Sequence, residues 1–345
     1  MELLKRLRDI PPPDRIAMEK AQARLDNIAK PVGSLGLLEG VIVKIAGLTG
    51  DAGLPLDKRA VVVMCADNGV VREGVASTPP VITRVMAENM ARDQTCVCVM
   101  ARQAGARVIP VDVGMFEPAS VPGVLDRHIA RGTENMAQGP AMSREQAMQA
   151  IETGIALVAE LKQQGYQLLA AGEMGIGNTT TASAVASVLL NKPVEAVTGP
   201  GAGLSDAALQ NKMAVIRRAI EKNRPDPGDA LDVLGKLGGF DMAAMCGLYL
   251  GGALHRTPVL VDGFISAVSA LVAKRLCPAS LDAMIPSHVS AEPAGPMVLD
   301  ALGFAPLITA NMRLGEGTGA AAAMALIDMM QHVYREMITF ADIGM

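Results

Sequence analysis

The chain contains no tryptophan, and its 345 residues include only three tyrosines and five phenylalanines. It also lacks a basic run and an acidic tail, and its net charge is only −4. Nucleic-acid binding needs a positive track, usually interleaved with aromatics, and neither is present. The five cysteines (Cys65, Cys96, Cys98, Cys246, Cys277) form no CxxC pair and no cysteine–histidine spacing suited to zinc. Cys96-Val-Cys98 could act as a redox pair, but buried small side chains in a reducing compartment are the better reading. His128, His255, His288 and His332 are scattered and no GxSxG occurs, so neither a metal site nor a Ser/His/Asp triad is supported. No metal and no cofactor is expected. Met1 to Leu7 lacks the apolar core of a signal peptide, and no stretch matches a clean membrane span. The expectation is a soluble, cytoplasmic protein that touches neither membrane nor nucleic acid.

Half of the residues are hydrophobic, and the length suits one large or two moderate domains with a sizeable core. The first fifty residues read as helices. Asp14 to Ala29 carries apolar residues at helical spacing after Pro11-Pro12-Pro13, and a helix over Leu37 to Leu48 follows the loop Lys30 to Gly36. From residue 60 the pattern changes to short apolar runs that end in small or acidic residues. They are Ala60 to Asp67, Arg107 to Gly114, Leu168 to Glu173 and Pro258 to Gly263, with helical segments between them. Continuous apolar runs suit strands buried on both faces, which predicts an α/β fold with a mostly parallel sheet flanked by helices. Ala320 to Met345 returns to helix. The expected division is a small helical domain of residues 1–50 plus 320–345 and an α/β catalytic domain of 51–319.

Ligands of such sheets bind beyond the carboxyl ends of the strands, so the glycine-rich stretches there attract attention. In Arg313-Leu-Gly-Glu-Gly-Thr-Gly319 a single carboxylate, Glu316, sits among three glycines just before a helix. A capped helix start with Thr318 as N-cap is the plainer alternative. Gly172 to Thr181 follows a strand and opens a helix over Thr181 to Leu190, where backbone amides favour a phosphate. Thr180 stands where a dinucleotide fingerprint has its third glycine, and no P-loop lysine follows, which excludes a generic NAD enzyme. A strand–helix turn with a threonine cap stays open on the residues alone. Thr198-Gly-Pro-Gly-Ala-Gly203 precedes another helix starting near Ser205, with Lys212 two turns in.

Eleven stretches, in order along the chain, resemble the nicotinate-nucleotide:dimethylbenzimidazole phosphoribosyltransferase family. They are Lys30-Pro-Val-Gly-Ser-Leu-Gly36, Ala66-Asp-Asn-Gly-Val70, Gly132-Thr-Glu-Asn-Met136, Gly139-Pro-Ala-Met142, Gly172-Glu-Met-Gly-Ile-Gly-Asn-Thr-Thr180 and Thr198-Gly-Pro-Gly-Ala-Gly203. Gly238-Gly-Phe240, Asp262-Gly-Phe264, Ser290-Ala-Glu-Pro293, Arg313 to Gly319 and Met337-Ile-Thr-Phe340 complete the set. The resemblance implies a Rossmann-like fold and a reaction. Phosphoribose passes from nicotinate mononucleotide to a cobamide lower-ligand base with inversion, releasing nicotinate. It implies Glu316 as general base, with Glu173 and Lys212 lining the site. It places the phosphate on Gly175, Ile176, Gly177, Asn178 and Thr179, on Gly201, Ala202 and Gly203, and on Ser290. Leu314 and Gly315 are implied as substrate-binding, and the assembly implied is a dimer with itself or a close paralogue.

Several positions depart from the family pattern, and they concern the acceptor. Asn68 stands where histidine is common, Leu37 and Val289 where arginine is common, and Val85 where benzimidazole users carry glutamine, while Ser77 is retained. Fewer polar groups imply a smaller or less polar acceptor, phenol or p-cresol among them. A phenol has a pKa of about 10, so transfer to it would lean harder on Glu316. The competing expectation is a weakly active paralogue that binds nucleotide and pairs with an active sister chain.

Overall fold

The alternation expected after residue 60 is present. The computed structural model describes residues 2–201 and 203–345. Its strands are β1 (Arg59–Ala66), β2 (Ala106–Gly114), β3 (Leu125–Asp126), β4 (Leu168–Met174), β5 (Val259–Val261) and β6 (Met284–Pro286). Four of them fall on the four apolar runs, whereas β3 and β6 are too short to make a run. All pairings are parallel, in the order β3-β2-β1-β4-β5-β6.

Helices precede and link the strands. The first half of the chain supplies α1 (Glu2–Arg8), α2 (Arg15–Asn27), α3 (Leu37–Thr49), α4 (Val81–Ala91), α5 (Cys96–Gln103) and α6 (Arg144–Gln163). Next come α7 (Asn178–Leu189), α8 (Val194–Val197), α9 (Asp206–Asn223) and α10 (Ala230–Leu237). The last four are α11 (Phe240–Leu254), α12 (Phe264–Leu276), α13 (Gly295–Leu302) and α14 (Thr318–Glu336). Among the described residues, no helix is long and apolar enough to cross a membrane.

Successive strand residues point to opposite faces, and both faces are covered. Val61, Val63, Cys65, Leu168, Ala170 and Leu260 pack under α2, α3, α4, α5 and α14. Ala60, Val62, Met64, Leu169, Ala171 and Val259 pack under α6, α7, α11 and α12 with their neighbours. Burial of both sets is why the strands read as unbroken apolar runs. On the second face α11 and α6 meet backbone to backbone. A Cβ on Gly154 would collide with the Ala244 carbonyl, and one on Gly247 with that of Ile151. The chain ends are tied together by Arg24, whose guanidinium donates to the carbonyls of Tyr334 (3.1 Å) and Met337 (2.7 Å).

Two helix starts differ from expectation. Helix α7 begins at Asn178, three residues before Thr181, because Gly177 at φ +92° already turns the chain into it. Thr318 is the first helical residue of α14 and not its N-cap. Gly317 is the N-cap, and the Thr318 hydroxyl donates back to the Gly315 carbonyl at 2.8 Å.

Candidate active site

The strand order reverses direction between β1 and β4, the place where such sheets open a crevice. Asp67 follows β1, Glu173 is the penultimate residue of β4, and Asp262 follows β5. The ends of β4 and β5 border a cleft of about 340 Å3, whose lining includes Glu173, Asp262, Gly175 to Thr179, Ser290 and Arg313 to Glu316.

Glu316 adopts φ +60° between Gly315 and Gly317, each at +88°. Three consecutive left-handed residues bend the loop sharply, and the non-glycine one carries strain of roughly 1–2 kcal/mol. The loop lies against the end of β4. A methyl group on Gly172 would stand 2.6 Å from the Glu316 carbonyl oxygen. The Glu316 side chain is buried, with Oε2 unpartnered among the described residues. Burial raises its pKa to about 7, with the nearby Asp262 carboxylate adding to the effect. Asp262 itself caps α14. Its Oδ2 accepts from the Gly317 N–H at 3.2 Å, and its Oδ1 from the Ala320 N–H at 2.8 Å.

Glu173 is buried beside this loop and is held by two donors. The Asn178 amide donates to Oε2 and the Glu316 N–H to Oε1, the latter at 3.4 Å. The same Asn178 nitrogen donates to Oδ2 of Asp241 at 3.0 Å. Burial, reinforced by Asp241, Asp262 and Glu316, pushes the Glu173 pKa well up.

The opposite wall is built from donors. Helix α7 points its N-terminus at the cleft. Among the described residues, the N–H groups of Gly177 and Thr179 have no partner, while that of Ile176 donates to the Thr83 hydroxyl at 3.1 Å. Lys212, fully buried on α9, reaches Thr179 Oγ1 (2.9 Å) and the Gly199 carbonyl (3.0 Å). Burial lowers its pKa to about 8, with Glu292 pulling the other way. Gly201 sits at the same spot. A Cβ there would be 2.9 Å from Thr179 Oγ1 and 3.6 Å from the Lys212 ammonium. Exposed Arg313 lines the cleft mouth, and its positive charge lowers the otherwise burial-raised pKa of Glu292. A helix N-terminus and an arginine around one space, with a lysine directly behind Thr179, suit a phosphate.

A third wall is mostly apolar. Val75, Ala76, Ile82, Met86 and half-exposed Leu314 line it, with the Ser77 and Thr78 hydroxyls.

The cleft thus gathers Glu316, Glu173, Gly175, Ile176, Gly177, Asn178, Thr179, Gly201, Ser290, Ser77, Leu314 and Gly315. Lys212 stands behind Thr179. Val85 does not line the cleft. Ile82 and Met86, one turn apart on α4, take the inward face, and Val85 lies about 100° round the helix from Met86 and is exposed. Gly203 also lies outside it, exposed and with open space where a Cβ would stand. Ala202 lies outside the described residues. Three acids went unassigned from the sequence: Asp262 as helix cap, Glu292 beside Lys212, and Asp241 behind Asn178. The signal for Asp241 was a lone acid opening an otherwise apolar helix. Among the described residues, no acidic, histidine or cysteine cluster is arranged to hold a metal ion.

The comparisons with known proteins agree with this geometry. The profile of the DBI_PRT family, described as phosphoribosyltransferase, matches residues 10–345. A nicotinate-nucleotide–dimethylbenzimidazole phosphoribosyltransferase of Acetivibrio thermocellus is 48% identical over 94% of this chain and 93% of its own length. Its namesake in Desulforudis audaxviator is 47% identical over 100% of this chain and 98% of its own. Among solved structures, CobT from Thermus thermophilus superposes with a TM-score of 0.89 at 39% identity, covering 95% of this chain and 98% of that one. With the family profile spanning residues 10–345 and relatives of this identity covering nearly the whole chain, the chain belongs to the DBI_PRT family of phosphoribosyltransferases.

Proposed function

We propose that this enzyme moves the phosphoribosyl group of nicotinate mononucleotide onto an aromatic lower-ligand base of a cobamide, releasing nicotinate. The 5′-phosphate sits at the start of α7, held by the Gly177 and Thr179 N–H groups and by Lys212. In the displacement, the bond from C1′ to the pyridinium nitrogen breaks and its electron pair neutralises that nitrogen. Nicotinate therefore leaves without needing an acid or a metal. The incoming base attacks C1′ from the opposite face, which gives the α-riboside, and its proton passes to Glu316. A carboxylate with a pKa of about 7 suits a base at neutral pH. Entry of a pyridinium cation favours the ionised form of Glu173, which then faces the positive charge developing on the ribose. The observation that carries this reading is the cleft's polarity. An unpaired carboxylate oxygen on Glu316 shares one space with an unpartnered helix N-terminus.

The apolar wall formed by Val75, Ile82, Met86 and Leu314 favours an acceptor of low polarity. Dimethylbenzimidazole and p-cresol both meet that description, with Ser77 or Thr78 as hydrogen-bond partner for a ring nitrogen or hydroxyl. The division into 1–50 plus 320–345 and 51–319 belongs to the same reading, supported by the Arg24 link between the chain ends. So does a dimer in the cytoplasm. Val32 and Leu35 in the loop before α3, and Leu37 at its first residue, project into solvent and offer an apolar contact to a second copy.

The test is product formation by mass spectrometry from nicotinate mononucleotide with dimethylbenzimidazole, adenine, phenol and p-cresol, using Glu316→Gln as control. The expected result is an α-riboside phosphate that the variant does not form. Rejection of both phenols alongside good use of dimethylbenzimidazole would remove the phenolic acceptors. No product with any acceptor would point instead to a paralogue that needs a sister chain.

A further inference from the structure

Asp241 has no contact with the cleft, yet it sits directly behind it. It lies in the first turn of α11 with no measurable exposure, and every other buried residue of that helix is apolar or glycine except Tyr249, whose hydroxyl pairs with Ser266. Keeping a lone carboxyl in such a place costs stability unless something uses it. None of its contacts is an ion pair. Its Oδ1 accepts from the Met242 N–H at 2.9 Å, and its Oδ2 accepts from the Asn178 amide at 3.0 Å. That amide nitrogen has two hydrogens, and the second goes to Oε2 of Glu173. The Asn178 amide nitrogen faces a carboxyl oxygen on each side, and the reversed amide would lose both contacts and set its oxygen against the Asp241 carboxylate. The backbone makes room for this chain of contacts. A Cβ on Gly175 would lie 3.0 Å from Asp241 Oδ2 and 2.5 Å from the Ala66 carbonyl. Asn68, fully buried with neither amide atom partnered among the described residues, borders the same carboxyl across Gly239.

We propose that Asp241 is a positioning residue for phosphoribosyl transfer, acting through the Asn178 amide to hold the Glu173 carboxyl in place and to set its charge state. Asp241 orients the amide, the amide orients Glu173, and Glu173 accepts from the backbone of the loop that carries Glu316. The charged and titratable groups facing this chain are Asp67 and Cys65 from β1 and its end, Asp262 after β5, and Glu316. The two contacts act on Glu173 in opposite directions. The Asp241 charge raises its proton affinity, and the Asn178 hydrogen bond lowers it.

The kinetic arm of the test rests on the transferase reading above, whereas the spectroscopic arm does not. The band to follow is the infrared carbonyl stretch of a protonated carboxyl that is present in the wild type and missing in Glu173→Gln. In Asp241→Asn, an isosteric change, its titration midpoint should fall by at least about one pH unit, a tenfold loss of proton affinity. In Asn178→Ala the midpoint should rise. In the transfer assay Asp241→Asn should lower kcat about tenfold or more with KM for the nucleotide nearly unchanged, and should shift the pH profile. Combined with Asn178→Ala it should add no further loss, because both act along one path. A midpoint unmoved in both single variants would overturn the proposal, as would losses that multiply in the double variant. A wild type with no transfer activity would count against the transferase reading, while the infrared midpoints would still decide the role of Asp241.

Discussion

Two turns of this molecule share a sequence grammar and do opposite chemistry. Gly175-Ile-Gly177 leads into α7 and Gly315-Glu-Gly317 into α14. In both, a glycine near φ +90° is the N-cap, and a helix rich in small residues follows. The difference is what happens to the helix N-terminus. At α14, Asp262 already takes the N–H groups of Gly317 and Ala320, and burial, with that carboxylate adding to it, lifts the Glu316 pKa to about 7. At α7 no acid intrudes, the N–H groups of Gly177 and Thr179 stay open, and Lys212 stands behind them. Burial, and one carboxylate distant in sequence, separate a base from an anion site.

The most damaging way to break this contrast is to remove the base itself. Glu316→Gln should lower kcat by about 10³-fold, within the usual worth of a positioned general base. Calorimetric affinity for nicotinate mononucleotide should stay near wild type, because the phosphate side is intact. On the other turn, Lys212→Met should raise KM for the nucleotide by about 10–100-fold, the worth of one or two charge-assisted hydrogen bonds. Wild-type affinity should weaken as pH rises through about 8, where Lys212 loses its proton in the empty site, and this limb should vanish in the variant.

The acidic turn also leaves a mark on stability. Glu316 titrates at about 7 in the fold against an ordinary 4.5, so the native state holds this proton more tightly than the unfolded chain. The associated stability is complete below pH 4.5 and is lost as pH rises through about 7. Glu316→Gln should therefore melt higher than wild type at pH 8, by at most about 3 kcal/mol, and no higher at pH 4. The smallest effect tests what the turns have in common. Gly177→Ala and Gly317→Ala each force a side chain to positive φ against a valine (Val71 or Val61), and each should cost about 1–2 kcal/mol in denaturant unfolding.

Those shared features are also what the sequence made legible. Glycines bracketing Glu316 and Glu173 at the end of an apolar run announce themselves locally, as do strands buried on both faces. Asp262 as a cap does not, because its partners Gly317 and Ala320 lie 55 and 58 positions away. Asp241 meets Asn178 across 63 positions. Val85 lies off the cleft for a different reason. The motif aligned the residue, but the rotation of α4 decided that Ile82 and Met86 would face the cleft. Local grammar locates a turn, and long-range contacts decide its charge.

The most direct measurement is the pH profile of kcat/KM in Asp262→Asn. The wild type should show an acid limb near pH 7 that reports Glu316, and Glu316→Gln should lack it. In Asp262→Asn, with a negative neighbour removed and the turn otherwise kept, the limb should move to lower pH. A limb that stays near pH 7 would contradict the claim that Asp262 adds to what burial does in tuning Glu316 as a base.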